Sequence, residues 1–139
     1  METSKNATMH SGSCHCGAVR FRVRVDATAG TRCNCSICTK VAMLGAIAGP
    51  DDLTVEKGEA DLSSYEWGGR TAKRFFCKHC GVHCFGRGYL EQLGGAYVAV
   101  SLNTLDDIDP AQTSVGYWDG RHDNWMAGMR PQPWPIVAG

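Results

Sequence analysis

Three cysteines lie within six residues of one another, at Cys33, Cys35 and Cys38, in a C-x-C-x-x-C arrangement. Thiols this close in sequence can reach one metal ion without ligands from distant parts of the fold. Because zinc in proteins prefers four ligands, the triplet alone leaves one position open for water or substrate, as in zinc sites that do chemistry. The spacing therefore predicts a zinc site that is one ligand short, and whether its fourth position is open to substrate is the functional question.

Four further cysteines can form a complete ligand set without the triplet. Cys14 and Cys16 form a C-x-C near the start, and Cys77 and Cys80 form a C-x-x-C followed by Gly81. A C-x-x-C-G turn suits zinc because its backbone N–H groups can face the thiolates and glycine accepts the backbone angles of the turn. We assign these four cysteines to one closed structural site, so that two zinc ions per chain are expected.

Some residues leave alternatives open. Cys84 shares a strand face with Val82, which favours a small buried hydrophobic residue, although it could join or replace a zinc ligand. His15, His79 or His83 could supply a fourth ligand to the triplet and close it. An iron–sulfur cluster is the other metal option, but the spacings match neither the bacterial nor the plant-type pattern, which favours zinc.

Composition limits the classes of partner. The chain has 139 residues, of which 43% are hydrophobic, and this fits one domain with a sizeable core. Its formal net charge is zero, which argues against a nucleic-acid or anionic-membrane binder. No apolar run approaches membrane-spanning length, and residues 1–10 lack the apolar segment of a signal peptide. We expect a cytoplasmic protein, where eight cysteines indicate metal ligands or reactive thiols.

The hydrophobic pattern predicts a mainly β, single-domain fold. Residues 1–11 are expected to be disordered or frayed, and residues 12–139 to form the domain. From residue 19 to 25 apolar residues alternate strictly with Arg20, Arg22 and Arg24, which predicts a half-buried strand with a solvated arginine face, the alternative being an anion-binding surface.

Later segments extend this pattern. Residues 41–50 are apolar and contain two glycines and a terminal proline, which fits a core strand better than a helix. Further strands are expected at residues 53–55, 62–67, 75–77, 82–85 and 96–102. Residues 117–125 are expected to form a turn.

The cysteine motifs carry a resemblance to a known family. C-x-C-G at residues 14–17, C-x-C-x-x-C-x-K at residues 33–40 and C-x-x-C-G at residues 77–81 resemble, in order and spacing, the glutathione-dependent formaldehyde-activating enzyme family. The resemblance runs from about Gly12 to Trp125. Similar residues to those of the family also stand at Lys57-Gly58, Leu62, Tyr65, Phe76 and Asp119-Gly120-Arg121.

The resemblance implies a β-tent zinc fold of several small antiparallel sheets. It also implies a tight zinc site at Cys14, Cys16, Cys77 and Cys80, and a labile one at the active centre formed by Cys33, Cys35 and Cys38. The family is classed with carbon–sulfur lyases. The expected substrates are therefore a small-molecule thiol, glutathione, and formaldehyde, joined or separated as S-hydroxymethylglutathione.

Basic residues near the triplet are candidates for recognising glutathione. Arg32, Lys40 and residues 121–124 could bind its carboxylates or position a proton donor. The alternative, which we favour, is that residues 119–124 form a hydrogen-bonded turn that holds Trp118 and Trp125 against the core.

Two other function classes stay open. Both clusters could be scaffolding in a zinc-stabilised binding module that uses the arginine face, or the triplet could act without metal as a thiol redox sensor. The oligomeric state is not determined by the sequence.

Overall fold

The fold was analysed from a computed structural model, which describes residues 6–69 and 71–136. Ten strands are formed within these ranges: β1 Thr8–Ser13, β2 Arg20–Val25, β3 Ala29–Cys33, β4 Gly45–Ala48, β5 Leu53–Lys57, β6 Leu62–Tyr65, β7 Ala72–Cys77, β8 His83–Leu90, β9 Gly95–Ser101 and β10 Ser114–Trp118. One α-helix, α1, spans Ser36–Val41. Short 3₁₀ helices occur at Glu59–Asp61, Glu91–Leu93, Leu102–Thr104, Pro110–Gln112, Gly120–His122 and Trp125–Ala127.

The strands form two sheets. The smaller has the order β1-β2-β5, and the larger has the order β10-β3-β4-β9-β8-β7-β6. Within the described strands, all pairs are antiparallel except β3 with β10, which runs parallel and places Trp118 opposite Cys33. The mainly β, single-domain prediction is confirmed. Where several small antiparallel sheets were expected, the described strands form two sheets, of which the larger has seven strands and one parallel pair.

The core lies between the two sheets. The predicted alternation in β2 is confirmed, since Phe21 and Val23 are fully buried while Arg22 and Arg24 are exposed. The Phe21 ring meets that of Phe85 on β8 edge to face, with centroids 5.8 Å apart. Burial of such side chains contributes roughly 1.5–3 kcal/mol each, so this contact between the sheets is a main source of stability.

Two local expectations need correction. The frayed N-terminal segment was expected to reach residue 11, but residues 8–11 pair with β2 as part of β1; residues 1–5 lie outside the described residues. The core strand expected at residues 41–50 is limited to β4, and Val41 instead ends α1. Ala42 then takes a left-handed conformation, with φ of 54°, which ends the helix before β4. Nowhere in the described ranges is there a helix whose length and apolarity would let it span a membrane.

Candidate metal centres

Four cysteines converge where the two sheets meet. Cys14 and Cys16 lie in the β1–β2 connection, and Cys77 and Cys80 lie at the β7–β8 turn; their four sulfurs all lie within 4.8 Å of one another. The sulfurs of Cys14 and Cys16 are 3.7 Å apart, as are those of Cys16 and Cys77. Tetrahedral zinc with bonds of about 2.3 Å requires sulfur spacings of about 3.8 Å. This donor set therefore fits a zinc ion.

Backbone N–H groups surround this four-cysteine cluster. Val19 donates to the sulfur of Cys14 at 3.3 Å, and His79 donates to that of Cys77 at 3.4 Å. Backbone hydrogen bonds from Cys16 and Val82 lower the pKa of Cys80 to about 6. Gly81 has φ of +77°, the left-handed conformation that the sequence motif led us to expect at this turn. These N–H groups can stabilise thiolates, the form in which cysteine binds metal.

The triplet forms a second cluster. Cys33 ends β3, Cys35 precedes α1 and Cys38 lies in its first turn, with all three sulfurs within 4.8 Å of one another and only partly buried. Hydrogen bonds with Cys33 and Cys38 lower the pKa of Cys35 to about 2. The hydrogen bond with Cys35 raises the pKa of Cys33, and those with Cys33 and Cys35 raise the pKa of Cys38. The cluster itself stabilises one negative charge, so ionising all three thiols calls for a bound cation.

Within the described ranges, no side chain of a metal-binding type joins the triplet as a fourth ligand. His79 instead bonds to Asp61, with Nε2 and Oδ1 2.8 Å apart, and the ring of His83 stacks on Phe76. Burial lowers the pKa of His83, which favours its neutral form. Three thiols with one position left for another ligand are a donor set that fits zinc open to substrate.

Arg74 on β7 lies beside the triplet and was missed by the sequence analysis. Its Nη2 donates to the sulfur of Cys38 at 3.4 Å, and its Nη1 donates to the sulfur of Met43 at 3.6 Å. It is half-buried, and no salt bridge joins it to a carboxylate in the part of the chain that the structure describes. This guanidinium therefore places positive charge next to the thiols.

The turn that follows β10 anchors the loop between Cys33 and Cys35. The buried carboxylate of Asp119 accepts hydrogen bonds from Asn34 at 2.8 Å and Asn124 at 3.2 Å, and pairs with His122 at 2.7 Å. Burial opposes ionisation of Asp119, but these hydrogen bonds outweigh it and lower the pKa of the carboxyl. The interpretation of residues 119–124 as a hydrogen-bonded turn agrees with this geometry.

The contacts of this turn differ from the expected ones, in which residues 119–124 held Trp118 and Trp125 against the core. Trp125 is 52% exposed, so the turn does not bury it in the core. Arg121 instead secures the cysteine loop, since its Nε donates to the Asn34 carbonyl at 2.8 Å and its backbone N–H donates to Oδ1 of Asn34 at 3.0 Å. Arg32 donates to the Ala42 carbonyl at 3.1 Å. These two arginines hold backbone near the triplet, whereas Lys40 is exposed at the end of α1.

The remaining candidates belong to neither cluster. Cys84 is fully buried, and burial raises the pKa of its thiol to about 12, as befits a small hydrophobic residue. On the arginine face, Arg20 pairs with Asp106 at 2.8 Å and Arg22 with Glu56 at 3.9 Å. Acidic partners neutralise much of that surface, in agreement with a solvated face.

Comparison with known proteins places this architecture in a family. The sequence profile described as "Glutathione-dependent formaldehyde-activating enzyme" matches residues 9–121, a range that contains all eight cysteines, the α1 helix and Arg74. The chain belongs to the glutathione-dependent formaldehyde-activating enzyme family. The resemblance carried by the three cysteine motifs is thereby confirmed.

Two relatives illustrate the similarity. A Halomonas elongata protein provisionally named a glutathione-dependent formaldehyde-activating enzyme is 45% identical over 78 residues, which are 50% of each chain. The present chain thus spans about half the length of this curated relative. A crystal structure of a Rhodobacter sphaeroides protein is 33% identical and has a TM-score of 0.65, covering 73% of this chain and 92% of that one. Membership of the family rests on the sequence profile, and the solved structure shows that the Rhodobacter sphaeroides protein has a similar fold.

Proposed function

We propose that this chain is a zinc-dependent carbon–sulfur lyase that forms or breaks S-hydroxymethylglutathione. The observation that carries the proposal is the three-thiol cluster, which is partly exposed, has no fourth protein ligand in the described part of the chain, and lies beside the Arg74 guanidinium. A site built to take one further soft anionic ligand suits a thiol substrate. The family name supplies glutathione and formaldehyde as the reactants.

The seven clustered cysteines divide by role in this proposal. Cys14, Cys16, Cys77 and Cys80 hold a structural zinc that ties the two sheets together, and Cys33, Cys35 and Cys38 hold the labile zinc at which substrate binds. Zinc at the triplet would supply Lewis acidity that lowers the pKa of the incoming thiol. Three thiolates and Zn²⁺ sum to a charge of about −1, which the Arg74 guanidinium offsets.

The reaction is an addition and its reverse. The glutathione sulfur attacks the carbonyl carbon of formaldehyde, a carbon–sulfur bond forms, and the carbonyl oxygen takes up the proton that the thiol has lost. In the reverse direction the hydroxyl proton leaves and the carbon–sulfur bond breaks. Because the cysteines are only partly buried, solvent can carry the proton between the two atoms. Arg74 stabilises the substrate thiolate by charge and hydrogen bonding.

We place the activity in the cytoplasm, where glutathione is present and thiols stay reduced. All eight cysteines are unpaired in the structure, and seven of them stand in the two clusters. Free thiols at this density suit a reducing compartment better than an oxidising one.

The test combines metal content with turnover. Zinc per chain is measured on fresh protein, before and after a mild chelator and with and without glutathione, and S-hydroxymethylglutathione formation is followed above the uncatalysed rate. We expect two zinc ions, one of them readily removed and protected by glutathione. Cys35→Ser should lose that zinc and the activity, while the matched variant Cys84→Ala, outside both clusters, should keep both.

Full turnover and full zinc content in Cys35→Ser would contradict the proposal. Two equally chelator-resistant zinc ions would show that a further ligand closes the triplet. One tightly held zinc with three oxidisable thiols at residues 33, 35 and 38 would favour redox sensing instead.

A further inference from the structure

A cavity of about 190 Å³ lies beside the triplet, at the outer edge of β10. Its wall includes Cys33 of the triplet together with Tyr117, Trp118, Pro133, Trp134 and Ile136. An apolar cavity of about 150 Å³ is large enough to take up benzene. Formaldehyde, with a single carbon, would leave almost all of this space unused.

Two polar side chains of the cavity wall donate hydrogen bonds to neighbouring parts of the protein. Arg32 donates to the Ala42 carbonyl at 3.1 Å. The Asn34 amide donates to Asp119 at 2.8 Å and to the Pro135 carbonyl at 3.5 Å. The rest of the wall is mainly aromatic and aliphatic, which suits an apolar group better than the two carboxylates of glutathione.

Several contacts hold the outer wall of the cavity in place. Arg130 and Tyr117 exchange backbone hydrogen bonds of 2.8 and 3.1 Å, and the Trp134 indole donates to the Tyr117 carbonyl at 2.9 Å. The Arg130 guanidinium also lies over the Trp134 ring, 3.8 Å from its centroid, in a cation–π contact. These contacts hold the C-terminal segment against the edge of β10, so the cavity has fixed sides.

Part of this outer wall lies outside the residues that the family profile matches. The match ends at residue 121, whereas Pro133, Trp134 and Ile136 follow it. The wall beside the matched cysteine triplet is thus completed by side chains from the C-terminal segment.

We propose that the cavity is a subsite for the apolar side chain of an aldehyde, so that the enzyme acts on glutathione adducts of aromatic or branched aliphatic aldehydes. The inference rests on the proposed function, in which glutathione takes the position at the triplet and the aldehyde lies beside it. The reaction keeps the same balance: the glutathione sulfur bonds to the aldehyde carbon, and the carbonyl oxygen takes the thiol proton. The aldehyde side chain replaces one hydrogen of formaldehyde and enters the cavity beside Cys33.

Turnover of two aldehydes tests the subsite. Initial rates with glutathione are measured for acetaldehyde and phenylacetaldehyde, in the zinc-loaded wild type, in Ile136→Trp, which fills the cavity, and in Trp134→Ala, which removes a wall. We expect kcat/KM for phenylacetaldehyde to exceed that for acetaldehyde by about tenfold or more, and each variant to lose that preference, as expected for a hydrophobic pocket. Trp67→Ala, an exposed tryptophan outside the cavity, should keep it.

A binding measurement separates failure of the subsite from failure of the lyase assignment. The zinc-loaded protein is titrated with 2-phenylethanol, an unreactive probe, while the Trp134 indole N–H is followed by NMR and assigned with Trp134→Phe. We expect a saturable shift that Ile136→Trp abolishes. Turnover of formaldehyde without any shift or aldehyde preference would overturn the subsite alone. If the Trp134 signal shifts but the protein turns over no aldehyde, the lyase assignment is overturned. The proposal that an aldehyde side chain occupies the cavity is then overturned with it.

Discussion

The Arg74 guanidinium lies 3.4 Å from the sulfur of Cys38, although 36 residues separate the two in the chain. The contact brings a cation from β7, the strand next to the β6 edge of the large sheet, to the cysteine triplet. A hydrogen bond to a charged group contributes roughly 1.5–3 kcal/mol. Arg74 should therefore measurably stabilise any state in which the triplet carries negative charge.

Arg74→Met should lower lyase activity by about 10- to 100-fold, because the thiolates and the substrate sulfur lose this cation. Steady-state rates and zinc content check the prediction, and the structural zinc should stay bound. Arg74→Lys should recover part of the rate by restoring the charge. Arg22→Met, on the exposed arginine face, serves as the matched control and should behave as wild type. Unchanged rates in Arg74→Met would remove Arg74 from the site.

Asp119→Asn should weaken metal binding at the triplet by about 10- to 100-fold, as loss of an outer-shell partner does elsewhere. The substitution replaces one acceptor oxygen with a donor that faces the amide of Asn34. The fold lowers the pKa of Asp119, so its side chain is ionised at every pH above the ordinary carboxyl range. Its contribution to metal binding is therefore complete in that range and is lost only as the pH falls through the lowered pKa. Competition with a coloured chelator between pH 6 and 8 should therefore show a constant difference between variant and wild type.

Sequence reasoning succeeded where the information is local. The alternation in β2 predicts its buried face, because successive side chains in a strand point to opposite sides. The spacing of Cys77 and Cys80 likewise predicts a turn, and Gly81 takes the positive φ that the turn needs. Short spacing brings the thiols of the triplet together whatever the rest of the fold does. The four-cysteine group joins two such short motifs 61 residues apart, and it could be assigned because together they complete the four ligands that zinc prefers.

The missed features depend on contacts between distant segments. Arg74 reaches Cys38 only because β7 and the cysteine loop meet on the large sheet, and no periodicity encodes that meeting. The parallel pairing of Trp118 with Cys33 joins segments far apart in sequence. The helix α1 has only six residues and no side-chain cap, so its local signal is weak.

Gly120→Ala should disturb the triplet through a steric clash. A β-carbon at this position would lie 2.8 Å from Cη2 of Trp125 and would also overlap the sulfur of Cys33. We expect a loss of roughly 1–3 kcal/mol in stability, together with weaker zinc binding at the triplet. Thermal unfolding and zinc competition provide the measurements. In Gly69→Ala the nearest atom, Cγ2 of Thr71, lies 3.9 Å away, so this control should be neutral.

Cys84 should resist alkylation in the folded protein. Burial raises its pKa to about 12 from an ordinary value of 9.0, so that at pH 8 only about one thiol in 10⁴ is ionised, and the side chain is fully buried as well. Mass spectrometry of the peptide that carries Cys84, after brief iodoacetamide treatment of zinc-loaded protein, should show no label. The same treatment in urea should label it fully. Rapid labelling under native conditions would contradict its place in the core.

The two clusters should differ in what their loss does to the fold. Cys77→Ala removes a ligand from a site that joins the two sheets, and zinc sites of this kind contribute roughly 10–16 kcal/mol in small finger peptides, comparable with the ~5–15 kcal/mol stability of a domain. We expect this variant to be insoluble or unfolded. Cys38→Ala should stay folded, keep one zinc and lose activity, since the triplet lies beside the large sheet instead of between the sheets. Circular dichroism and zinc content distinguish the variants, and equal damage from both would refute the division into a structural and an active site.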